Sequence, residues 1–128
     1  MAETLEGLVR GVPLADARAA VEAALAKEGF GVLTEIDVQA TLKRKLDLDF
    51  RPYVILGACN PALAHRALQT SLDVGVMLPC NVILYEVPEG IAVRAFDPMD
   101  FAAREPGLRE VATEVRSRLA RVVASVSQ

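Results

Sequence analysis

Asn81-Val82-Ile83-Leu84-Tyr85-Glu86-Val87-Pro88-Glu89-Gly90-Ile91-Ala92-Val93-Arg94-Ala95-Phe96 is two apolar, β-branched runs separated by a short Pro-Glu-Gly turn. Runs of this composition joined this tightly form a β-hairpin, with one strand over Asn81 to Glu86 and the next over Ile91 to Phe96. A hairpin sets consecutive strands antiparallel. A doubly wound fold, in which each strand is followed by a helix, does not accommodate it. No G-x-G-x-x-G or phosphate-loop pattern opens any helix, so nucleotide folds of those types are excluded.

Upstream of the hairpin, Tyr53-Val54-Ile55-Leu56 is a nearly all-apolar run and reads as a central strand covered on both faces. Gly57-Ala58-Cys59 ends it. Asn60 and Pro61 then open a helix running to Thr70, the first as N-cap and the second as first helical residue, with Leu63, Ala67 and Leu68 facing inward. Ser71 to Pro79 reads as a loop of small apolar residues. Further out, Thr4 to Arg10 reads as a first strand. Leu14 to Lys27 is an amphipathic helix on Leu14, Ala17, Val21, Ala24 and Leu25, preceded by Pro13 and stopped by Gly29. Phe30 to Asp37 reads as a strand with Phe30, Val32, Thr34 and Ile36 on one face. Val38 to Leu46 is a short helix with Leu42 and Leu46 inward, Lys43-Arg44-Lys45 being its solvated end. Asp97, Asp100 and Glu105 lie in a turn-rich stretch where helix capping explains them. From Gly107 to Ser127, Leu108, Val111, Val115, Leu119, Val122 and Val126 form a helical stripe suited to covering a sheet, with a coiled-coil seam as the other reading.

These elements give a single α+β domain over residues 1–128: two layers, with helices packed on a mainly antiparallel sheet of about five strands. Mixed strand pairing stays open at this point. The 128 residues suffice for a sizeable core, and with four Phe, two Tyr and no Trp, that core must rest on Ala, Val, Leu and Ile. A formal charge of −3 provides no electrostatic footprint for a phosphate backbone, so no nucleic-acid partner is expected. No run reaches the ~20 apolar residues of a membrane span, so no membrane partner is expected either. Met1-Ala2-Glu3-Thr4 lacks the charged and apolar regions of a signal peptide, which points to the cytoplasm, where thiols stay reduced.

The residues with chemistry in them cluster. The two cysteines, Cys59 and Cys80, are each followed by an asparagine, Asn60 and Asn81, and the single histidine, His65, lies between them. Three readings follow. Cys59 stands just before a helix N-terminus, where free N–H groups and the helix dipole favour thiolate, so it is a candidate reactive thiol for a redox enzyme. Cys59, His65 and Cys80 together are candidate ligands of a metal carrier or sensor, although a 20-residue gap is not zinc-finger spacing. Cys59, Asn60, His65, Cys80 and Asn81 are candidate contacts of a small-molecule ligand. The plainer alternative makes the cysteines small buried residues, His65 a solvated helix residue, Asn60 a cap and Asn81 a turn-bonding residue. Whether the thiols share one end of the sheet depends on strand direction. If strands 53–58 and 81–86 run antiparallel, they do.

Phe50-Arg51-Pro52-Tyr53, Leu56-Gly57-Ala58-Cys59-Asn60-Pro61, Ala64-His65-Arg66-Ala67-Leu68 and Leu78-Pro79-Cys80-Asn81-Val82, with Glu28 to Asp37 upstream, resemble the bacterial and archaeal family of unknown function numbered 302. The resemblance runs from the first helix to about Phe96. It implies a compact α+β domain, dimeric, with no established activity and no catalytic or cofactor assignment to carry over. The expectation is therefore a small binding module acting as a homodimer, with its ligand or partner site near the two Cys-Asn corners. The redox enzyme and the metal carrier are the alternatives.

Overall fold

The computed structural model describes residues 4–127; the reading of Met1-Ala2-Glu3 lies outside them. The chain runs β1 (Glu6–Val9), α1 (Leu14–Lys27), β2 (Gly31–Asp37), α2 (Val38–Leu46), β3 (Tyr53–Cys59), α3 (Pro61–Thr70), a 3₁₀ helix (Leu72–Met77), β4 (Cys80–Val87), β5 (Gly90–Ala95), α4 (Met99–Arg104), a 3₁₀ turn (Pro106–Leu108) and α5 (Arg109–Val126). The sheet order is β1-β5-β4-β3-β2, and every neighbouring pair is antiparallel. The fold is thus the two-layer α+β arrangement, with the mixed alternative removed.

Local chemistry sets the boundaries. Gly29, at φ +84°, ends α1: its N–H bonds the Ala26 carbonyl and the Phe30 N–H bonds back to Leu25. This is the paired 5→2 and 6→1 pattern that a left-handed residue permits, closed by Phe30 meeting the core beside Leu25. Asp37 caps α2 by accepting from the Ala40 N–H, and Asn60 caps α3 by accepting from the Leu63 N–H. The expected loop after α3 contains a 3₁₀ helix. The turn-rich stretch contains α4, whose start is braced by Asp97 Oδ1 accepting from the Met99 N–H at 2.9 Å. α4 carries Phe101, one of the largest fully buried side chains. The core is not purely aliphatic.

Register divides the sheet into two faces. Val54 pairs with Leu84, Leu56 with Val82 and Ala58 with Cys80; these point into the core with Val93 and Ile91 of β5. Against them lie α1 through Ala17, Val21 and Leu25, α3 through Leu63 and Ala67, and α5 through Val111, Val115, Leu119, Val122 and Val126. The long helix therefore covers the sheet, as its stripe suggested. The opposite face carries Tyr53 beside Tyr85, Ile55 beside Ile83 and Gly57 beside Asn81. The expectation that β3 is covered on both faces is thus corrected: its buried positions are Val54, Leu56, Gly57 and Ala58, while Tyr53 and Ile55 are only half-buried. Leu46 is corrected as well. It is 62% exposed, no residue of α2 is fully buried, and Leu42 is half-buried.

At Gly57 the open face is crossed closely. A Cβ there would run into Thr34 Oγ1 of β2 and stand 2.7 Å from Pro79 Cγ. Only glycine lets the segment before β4 lie over β3 at this end of the sheet.

A cysteine-lined cavity where β3 passes into α3

Antiparallel pairing of β3 with β4 sets Ala58 opposite Cys80, so Cys59 and Cys80 come to the same end of the sheet. Both line a cavity of about 20 Å³, together with Asn60, Leu63, Phe101 and Val115. Its wall is almost wholly apolar. The volume is that of roughly one water, but a water needs two or more polar partners, so this space suits a small apolar group better.

The electrostatics run against a nucleophilic thiol. Burial pushes the Cys59 thiol up from its ordinary value. Cys80 is pushed up to about 12, first by burial and then by the neighbouring Cys59. This direction is opposite to the one expected of a thiol at a helix N-terminus. Part of the reason is local: Asn60 Oδ1 takes up the Leu63 N–H at 3.2 Å, one of the free donors that would otherwise steady a thiolate. Both cysteines are free thiols.

Asn60 also has a structural task. Its Nδ2 donates to the Glu28 carbonyl at 3.1 Å, and Arg118 of α5 donates to the same oxygen at 3.1 Å. Arg121 holds the Glu28 carboxylate through both its Nε and Nη2, at 3.0 to 3.2 Å, which lowers the Glu28 pKa. The end of α1, the start of α3 and the middle of α5 are thereby tied at one point beside the cavity.

The five predicted contacts separate. Cys59, Asn60 and Cys80 meet at the cavity. His65 projects from the exposed side of α3, and Asn81 is exposed on the open face of β4. Among the described residues no group of three His, Cys, Asp or Glu side chains could hold a metal, and His65 stands apart from the cavity that Cys59 and Cys80 line. The wall residues Leu63, Phe101 and Val115 were not expected as site residues. Leu63 and Val115 did appear in the helical stripes; Phe101 was hidden with α4.

The class these features define is an open-faced two-layer α+β domain with a thiol-lined corner. The chain belongs to the domain of unknown function DUF302, whose family model matches residues 8–126. It is similar to a solved structure described as the crystal structure of an uncharacterized conserved DUF302 protein from Bacillus stearothermophilus. The two are 32% identical, with 95% of this chain and 98% of that one aligned, at a TM-score of 0.85. No curated protein matches. No helix among the described residues is long and apolar enough to cross a membrane.

Proposed function

We propose that this protein is a small binding module that works as a homodimer in the cytoplasm, its ligand site being the corner bounded by Cys59, Asn60 and Cys80. The observation that carries this reading is the small apolar cavity lined by Cys59 and Cys80, which come from two adjacent strands. Both thiols are kept protonated by burial. A protonated thiol is a poor nucleophile and a good soft, weakly polar wall, which favours binding over thiol catalysis. The volume limits what enters to the tip of a small molecule, such as a methyl or thioether end, with Asn60 at the rim.

Alkylation by N-ethylmaleimide tests the protonation argument. Cys59 is expected to react slowly at pH 7 and faster only toward alkaline pH, with Cys80 labelled on unfolding. Rapid modification of Cys59 at pH 6 would overturn the reading in favour of a thiolate enzyme. A thermal-shift screen against metabolites tests the site itself. A true ligand raises Tm of the native protein but not of Ala64→Leu, which fills the cavity from a half-buried position on α3. A panel with no such compound leaves the cysteines as packing residues and sinks the module.

A further inference from the structure

The open face of the sheet has an apolar centre, Tyr53, Ile55, Ile83 and Tyr85, where a fully solvated face would carry polar residues. Register aligns Ile36, Ile55, Ile83 and Arg94 across four strands, ending at Glu6 on β1. A second row places Tyr53 and Tyr85 in a stack, ring centroids 5.2 Å apart and 10° from parallel, with Ala92 and Leu8 beyond. Phe50 lies against Tyr53 at 6.2 Å. Glu6 and Arg94 face each other at one margin, 3.8 Å apart.

Beside this face stands α2. It is nine residues long and buries none of them completely, although its sequence is amphipathic. So short a helix is marginal in water unless its apolar side is packed. Around it Ile36, Leu46, Leu48 and Phe50 are all exposed, half of the large exposed hydrophobics among the described residues. An uncovered sheet face and an under-packed helix thus adjoin each other.

We infer that the open face of the sheet, flanked by α2 and the Leu46–Phe50 segment, is the surface on which a second copy of this chain docks. The inference rests on the homodimer reading above and assigns it a place. Two observations select a second copy as occupant. The first is area. Five strands about 4.8 Å apart and six or so residues long present about 500 Å² in projection, and α2 with its following segment brings this toward the ~800 Å² per partner of a stable complex. The second is charge. The centre of the face is neutral, and Glu6 and Arg94 oppose each other at its margin. The basic end of α2, Lys43-Arg44-Lys45, stands with Asp47 and Asp49, both of which pair with Lys43, so the surface offers both signs to a two-fold partner. The assembly is two sheets packed face to face with the helical layers outside.

Sedimentation velocity on the full chain tests this. The wild type is expected at twice its 13.7 kDa mass at micromolar concentration. Ile55→Lys, at the centre of the face, and Leu46→Glu, on an exposed position of α2, are each expected to sediment as monomers. Leu46→Glu removes no core contact, so its far-UV circular dichroism stays native even if Ile55→Lys fails to fold. Ala124→Glu, exposed on α5, is expected to remain dimeric. A dimer that survives both face substitutions, or that Ala124→Glu dissociates, overturns the assigned face while leaving a homodimer in place. A monomeric wild type overturns both, and the cysteine corner then stands on its own tests.

Discussion

Asn60 shows how one residue at the corner holds three helices. Its Oδ1 caps α3 and its Nδ2 reaches Glu28 at the end of α1. Asn60→Ala removes the cap, while the Glu28 carbonyl keeps Arg118 as donor; a loss of about 1–2 kcal/mol is expected in chemical denaturation. Cys80 makes a pH prediction. Its folded pKa, raised to about 12 from an ordinary 9.0, means that the folded state resists ionisation that the unfolded state undergoes freely. The stability it supports is complete below pH 9 and is lost as pH rises from there toward 12. Denaturation midpoints measured along that range should fall, and the fall should be shallower in Cys80→Ala. At this scale the residues were legible in part. Asn60 as a cap follows from Asn-Pro before an apolar run. The raised pKa of Cys59 does not, because its cause, burial, is a property of the neighbours rather than of the chain position.

Among the elements, α1, α2 and α3 were legible to within a residue because caps and stops are local chemistry: Gly29, Asp37 and Asn60 act on backbone groups two to four positions away. Element α4 was not, since six residues are too few for a period, and its one strong mark, Phe101, meets the core only through tertiary packing. The inward assignment of Leu46 failed for a related reason. Amphipathicity states that a helix has an apolar side, not that the same chain supplies its cover. The independence of α2 from the core leads to an expected outcome for Asp37→Ala. Loss of the Asp37–Ala40 cap bond, 2.9 Å long, should speed hydrogen exchange across residues 38–46 by roughly tenfold, a factor corresponding to about 1.4 kcal/mol. The amides of β3, β4 and α5 should change little, and so should global Tm. Uniformly faster exchange throughout the protein would refute the separation.

For the whole molecule, the hairpin decided the class and the direction of β4 against β5, while the antiparallel pairing of β3 with β4 was open in the sequence and came with the structure. Strand order and the bare face needed the structure, because alternation within one strand does not reveal which side receives helices. An assembly that buries this face adds apolar burial available only to the paired state. Tm of the wild type should therefore rise as protein concentration is raised tenfold and again tenfold, while Tm of Leu46→Glu stays flat. A concentration-independent wild-type Tm would indicate that the isolated chain carries all of its own stability.

The two margins of the sheet bear on how such an assembly ends. At one, β1 pairs over only four residues. At the other, the register of β2 slips between Val32 and Thr34, so Leu33 bulges out of the ladder and the free backbone donors and acceptors lose their even spacing. Neither margin is a straight template on which another strand could be laid and then another. Growth by edges has no natural stop, whereas two faces that meet about a two-fold axis are finished once they have met. The extra residue at Leu33 thus makes this margin a poor template for a further strand, and it does so from a position that touches neither the cavity nor the core.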